Sequence, residues 1–178
     1  MTLSAWDRNR LAAALPGWLP ARRWFSAKGR AITGVELPEV ADLGRGLVIA
    51  LADVRVAGER EPRRYQLPLV VRSRPGPDAI TELGGAWAFD ATDDPGSMRH
   101  LLDLVAAGGE RDGVRFTPEA ALRPVGPASP VRRLTAEQSN TSVVFGDRYI
   151  LKFFRRLFPG VNPEVEVQRA RGPLPTLA

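Results

Sequence analysis

A chain of 178 residues with 44% hydrophobic content can bury one moderate core or two small ones; having no cysteine, it excludes disulfide frameworks, thiolate metal centres and cysteine nucleophiles, and its single histidine argues strongly against a histidine metal centre or a Ser-His-Asp triad. The net charge of +5 is scattered as arginine pairs (Arg22 and Arg23, Arg63 and Arg64, Arg132 and Arg133, Arg155 and Arg156) among acidic residues. Few aromatics are placed to stack bases, so the pattern reads as a solvated basic surface and not as a nucleic-acid interface.

In chain order, Ser4 and Asp7 match a capping box, and Leu3, Trp6, Leu11 and Leu15 recur at helical spacing, so a first helix is expected up to the stop at Pro16 and Gly17. No apolar run approaches the roughly 20 residues that span a bilayer, and the N-terminus is amphipathic rather than a signal sequence; no membrane partner and a cytoplasmic location are the expectation. After a compact stretch at 18–30, strand-like runs follow at 31–37, 47–56 and 64–73, each bounded by turn signals. Arg74-Pro75-Gly76-Pro77-Asp78 is a loop, and 86–91 is another short strand. One helix followed by a meander gives an α+β class, with the first helix covering the sheet of 47–56 and 64–73. A boundary is set near residue 88, dividing the chain into units 1–88 and 89–178, each with an antiparallel sheet.

In the second unit, Asp94 or Ser97 caps a helix through Leu101, Leu102, Leu104 and Val105, ended by Gly108 and Gly109. His100 lies on it and reads as a surface or packing residue. Short strands are expected at 114–117, 120–125 and, after the turn Gly126-Pro127-Ala128-Ser129-Pro130, at 131–137.

Phe145-Gly146-Asp147-Arg148 then joins two apolar alternating runs, and a two-residue Gly-Asp loop suits a type II′ hairpin. That turn pairs Phe145 with Arg148 and sets Val143 opposite Ile150 and Thr141 opposite Lys152, so Thr141, Val143, Ile150 and Lys152 share a face. The aliphatic pair Val143 and Ile150 suits a purine, while the loop Gln138-Ser139-Asn140-Thr141-Ser142 offers amides and hydroxyls to phosphates and the ammonium adds a compact charge. Of the 25 basic residues only Lys28 and Lys152 are lysines; Lys28 reads as a packing residue of its turn. Asn162-Pro163-Glu164-Val165-Glu166 carries an N-cap and a proline at the first helical position, so a helix should begin there. Glu164 and Glu166, two residues apart, cannot both face Lys152. The plainer alternative is that Lys152 snorkels at a strand end and the glutamates favour the helix N-terminus.

Glu137-Gln138-Ser139-Asn140-Thr141-Ser142-Val143, Ile150-Leu151-Lys152 and Asn162-Pro163-Glu164-Val165-Glu166 resemble the actinobacterial maltokinases and their relatives, the bacterial glucosamine kinases. Arg23-Trp24-Phe25, Lys28-Gly29-Arg30 and Tyr65-Gln66-Leu67-Pro68 resemble the N-terminal cap of that family. The resemblance implies a cap at 1–88, of helix and antiparallel sheet. At 89–178 it implies the intermediate part of a kinase-like N-lobe, an antiparallel sheet with a short helix, in a fold similar to aminoglycoside phosphotransferases and protein kinases. It makes Gln138, Ser139, Asn140, Thr141 and Ser142 the loop over the phosphates, Lys152 the holder of the α- and β-phosphates, and Glu166, in preference to Glu164, the partner of Lys152. It further implies ATP with magnesium and maltose phosphorylated at its anomeric hydroxyl in glycogen or trehalose metabolism, with trehalose synthase as a protein partner.

The catalytic aspartate and metal ligands of such an enzyme belong to a C-lobe that these 178 residues do not contain, and Gly172-Pro173-Leu174-Pro175 departs from the family pattern. The chain alone is therefore expected to bind ATP weakly or not at all and to transfer no phosphoryl group. Two other readings stand beside this one: the same lobe of a kinase for glucosamine or another acceptor, and an inert module that docks on a protein.

Overall fold

The computed structural model describes residues 3–118, 122–123, 125–134, 139–160 and 162. Helix α1 (Ala5–Trp18) starts as the capping box predicts: the Asp7 amide donates to Ser4 Oγ at 3.1 Å and the Ser4 amide to Asp7 Oδ2 at 3.0 Å. It does not stop at Pro16. It runs to Trp18 and into a 3-10 turn, Leu19–Ala21, because Leu11, Leu15 and Leu19 form one fully buried stripe. That burial outweighs the single helical hydrogen bond a late proline forfeits.

The first sheet contains β1 (Ile32–Gly44), β2 (Leu47–Val56), β3 (Arg63–Arg72), β4 (Thr81–Leu83) and β5 (Ala86–Asp90), all antiparallel in the order β1-β2-β3-β5-β4. Strand β1 is longer than its expected span of 31–37, since shifts in register between Glu36 and Glu39 accommodate Pro38 without ending the pairing. The turn into β2 depends on Gly46. Its φ is +77°, and a Cβ there would lie 2.6 Å from the Val71 carbonyl oxygen.

Both faces of this sheet are covered. On one, Leu11, Leu15, Leu19, Trp24 and Phe25 pack over Val48, Ala50, Tyr65, Leu67 and Leu69, so α1 covers β2 and β3 as expected. On the other, Leu43, Leu47 and Val70 meet α2 (Pro95–Ala107) through Met98, Leu101 and Leu102. Asp94 is the N-cap of α2, and Ser97 instead donates its hydroxyl to Asp94 Oδ2 at 2.7 Å. Gly108, at φ +68°, ends the helix. His100 is a packing residue, buried with Nε2 donating to the Leu43 carbonyl at 2.9 Å.

A small ribbon of β6 (Gly109–Arg111) and β7 (Val114–Phe116) follows. A second antiparallel sheet, ordered β10-β9-β8, is built from β8 (Val131–Arg133), β9 (Thr141–Phe145) and β10 (Tyr149–Phe153). Its inner face brings Val143, Phe145 and Phe153 to the second core. The chain then returns as β11 (Arg156–Leu157) to pair with β3 at Tyr65 and Arg64. The architecture is α+β with two adjoining antiparallel sheets, as expected from the sequence. The strand expected at 120–125 lies largely outside the described residues, and of the one expected at 131–137 the described part is Val131–Arg133.

Candidate functional site

The hairpin that was to form the site is shifted by one residue from the expected register. Phe145 pairs with Tyr149 rather than Arg148, leaving Gly146, Asp147 and Arg148 as a three-residue loop. The Arg148 amide donates to the Phe145 carbonyl at 3.1 Å, and Gly146 takes φ +58°. Down the ladder, Val144 is opposite Ile150, Val143 opposite Leu151, Ser142 opposite Lys152 and Thr141 opposite Phe153.

A slip of one residue exchanges faces, so Val143 and Thr141 do not lie beside Lys152. Val143 is fully buried in the second core, which is what drives the shift: the expected register would have turned Val143 to the open face and exposed its apolar surface. The residues that do share a face with Lys152 are Ile150, Val144 and Ser142. Ile150 is 65% exposed, the largest apolar exposure on this sheet, and Val144 is half-buried. Lys152 itself is half-buried, with its ammonium 5.7 Å from the Phe154 ring centroid. It borders a groove of about 660 Å³ between β10 and the first sheet, where Glu39, Gln66, Leu51 and Phe116 also line the wall.

Of the loop residues, Ser139 and Asn140 precede β9, and Ser142 is buried with its carbonyl accepting from the Leu134 amide at 2.8 Å. Gln138 lies outside the described residues, as do Glu164, Glu166 and the helix expected after Asn162. Lys28 is exposed and donates to the Pro20 carbonyl at 3.1 Å, closing the turn after α1.

Thr141 has a different task from the one its position suggested. Its hydroxyl accepts from Nε of Arg155 at 2.8 Å. Arg155 is 0% exposed, and its Nη2 donates to both carboxylate oxygens of Asp90 (3.1 and 2.8 Å) and to Thr92 Oγ1 at 3.1 Å. The guanidinium carbon sits 4.6 Å from the Trp24 ring centroid. Burial pulls the Arg155 pKa down from its ordinary value, against the opposing charge and hydrogen bonds of Asp90. One side chain thus ties the end of the first sheet, the start of β9 and the turn around Trp24. In the sequence Arg155 falls among the scattered arginine pairs expected at the surface; the signal for its burial is its position, directly after Phe153 and Phe154 in an apolar run.

Residues 18–94 match the family model of the maltokinase N-terminal cap domain. The matched stretch runs from the last residue of α1, through the Trp24 turn and the first sheet, to the N-cap of α2. The N-terminal part of the chain is therefore maltokinase-like, and the match covers the Trp24 turn and the first antiparallel sheet. Among the described residues, no helix is long and apolar enough to cross a membrane.

Proposed function

We propose that the outer face of the second sheet is the nucleotide-facing edge of an ATP-dependent sugar kinase related to the maltokinases. The observation that carries this reading is the juxtaposition on one open face of Ile150 and Val144, cross-strand neighbours, with the next pair formed by Lys152 and Ser142. An exposed isoleucine beside a half-buried valine offers a flat apolar patch for a purine. One step along the strand, the ammonium and the residues before β9, Ser139 and Asn140, stand where a triphosphate attached to that purine would extend.

In this reading Lys152 neutralises phosphate charge without serving as an acid or base, and the loop amides supply directed hydrogen bonds. Among the described residues no group of three or more potential metal ligands stands together; magnesium would enter with the nucleotide and help Lys152 to neutralise its phosphates. The cap match favours maltose as acceptor over glucosamine, with phosphoryl transfer to the anomeric hydroxyl. A docking module is the rival reading, favoured by Ile150 and Phe158, both 65% exposed.

Titrating the isotope-labelled 178-residue chain with ATP and magnesium separates these readings by face. Weak binding that shifts Val144, Ile150 and Lys152 more than Val143 and Leu151 is expected, with no phosphorylation of maltose. Shifts confined to residues remote from β9 and β10 overturn the nucleotide reading. Turnover by this chain would reveal catalytic groups outside the ones named.

A further inference from the structure

The hairpin of β9 and β10 has two ends. At one the chain turns through Gly146, Asp147 and Arg148; at the other Thr141 faces Phe153, and the next pair inward is Ser142 with Lys152. The nucleotide reading puts the phosphates at this second end. No turn joins the strands there, so another contact has to hold them in place.

Arg155 grips both strands. Its side chain reaches β9, with Nε donating to Thr141 Oγ1 at 2.8 Å. Its main chain anchors the continuation of β10: the Arg155 carbonyl accepts from the Gln66 amide of β3 at 2.7 Å, and the next residue, Arg156, pairs with Tyr65. The guanidinium is itself fixed to the first sheet. Nη2 donates to both oxygens of Asp90, the last residue of β5, at 3.1 and 2.8 Å, and to Thr92 Oγ1 at 3.1 Å. The Trp24 and Phe153 ring centroids lie 4.6 and 6.0 Å from the guanidinium carbon. A planar group held at Nε and Nη2 and bounded by two rings is confined to one orientation.

Stability alone does not explain such a group. A buried ion pair adds little over apolar residues of the same volume, and its best-attested use is to fix one arrangement among several. The ladder of β9 and β10 has five pairs and packs on the core through its inner face alone, so its placement over the first sheet is what needs fixing.

We propose that Arg155 is a positioning residue, through which the cap sheet sets where Lys152 and the residues entering β9, Ser139 and Asn140, stand relative to the phosphates of a bound nucleotide. This role presupposes the nucleotide reading and adds to it a dependence on the cap: a shift of Asp90 or of the Trp24 turn moves the phosphate end of the hairpin. Arg155 is wholly buried, and Thr141 and Lys152 lie on opposite faces of the hairpin, so the guanidinium acts on the open face through Thr141 and not by contact with the ligand.

The test compares adenosine with ATP and magnesium, each titrated into the isotope-labelled 178-residue chain and followed at the Val144 and Ile150 amides. In the unaltered chain ATP should bind more tightly than adenosine, and the ratio of the two affinities reports the phosphate end alone. Thr141→Val keeps the β-branched shape but removes the acceptor, and should lower that ratio about fivefold; Thr141→Ser keeps the hydroxyl and should retain it. The double variant Arg155→Met with Asp90→Leu strands no charge, and should lower the ratio as Thr141→Val does while its urea midpoint falls much less than that of Arg155→Ala. Should Thr141→Val fail to fold, the double variant carries the same decision. A ratio unchanged in these variants, or adenosine and ATP weakened alike, overturns the positioning role and leaves Arg155 a structural residue. Absence of any preference for ATP over adenosine in the unaltered chain is a different result, which overturns the nucleotide reading and this role with it.

Discussion

The two sheets are built from the same kind of antiparallel pairing but specified to different degrees. In the first, β1 and β2 are matched at nine Cα partners and β2 and β3 at eight; in the second, β9 and β10 are matched at five and β8 and β9 at three. Long ladders with α1 on one face and α2 on the other fix register many times over. The short hairpin of β9 and β10 packs on the core through its inner face alone, so its register is decided by the turn and by which residues reach the core. The first sheet is a scaffold. The second is an attachment, held to it by the Phe153 contacts, the Arg155 knot and the return of β11.

The sharpest way to break that attachment is Arg155→Ala, which leaves Asp90 buried without its cation. A loss of about 3–5 kcal/mol in unfolding free energy is expected, read by chemical denaturation. The double variant Arg155→Met with Asp90→Leu should lose much less than the sum of the single changes, because it strands no charge. A near-neutral Arg155→Ala would mean that apolar contacts alone hold the second sheet. Next in size, Leu11→Ala in the fully buried cap core should destabilise by about 2–5 kcal/mol. Leu151→Ala, on the half-buried rim of the second sheet, should lose about 1 kcal/mol by the same measurement. Equal effects would erase the distinction between scaffold and attachment.

That distinction also sets what could be read from the sequence. The capping box at Ser4, the spans 47–56 and 64–73, and the cap of α2 at Asp94 all carried local signals that the packing reinforces. Pro16 and Pro38 misled in the same manner, as local breakers overridden by burial on either side. The hairpin misled for a different reason. Gly146-Asp147 fits a two-residue turn, and nothing local reports that Val143 and Phe145, rather than Val144, must point inward to meet Phe153 and α2. The correction leaves Lys152 beside Ile150, since alternation along one strand is indifferent to its partner, but it replaces Val143 with Val144 on that face. The knot at Arg155 was out of reach because its partners, Asp90, Thr92 and Thr141, are brought together only by tertiary structure.

The smallest effect expected is a pH dependence whose sign differs between the two regions. In the cap, Glu59 accepts from Arg63 Nε at 2.8 Å and pairs with Arg30, which lowers its pKa from 4.5 to about 2. Asp53, bonded by Arg64 at 2.7 and 2.8 Å, is lowered as well. A lowered carboxylate contributes fully above its unfolded value; as pH falls below it, the unfolded chain takes up the proton first, and the contribution is gone once the folded value is passed. For Glu59 the loss therefore falls between about pH 4.5 and 2. At the junction, partial desolvation raises Asp93 above its ordinary 3.8 although its side chain is 55% exposed, so the effect is small, and Arg133 only partly offsets it. There the folded chain takes up the proton first, so acidification just above 3.8 favours the fold. Urea midpoints measured from neutral to acid pH should show a shallower acid loss in Glu59→Gln. In Asp93→Asn the chain should be slightly more stable at neutral pH and lack the gain on first acidification. An acid limb unchanged by Glu59→Gln would mean that the paired arginines of the cap surface are too well screened to bear on its stability.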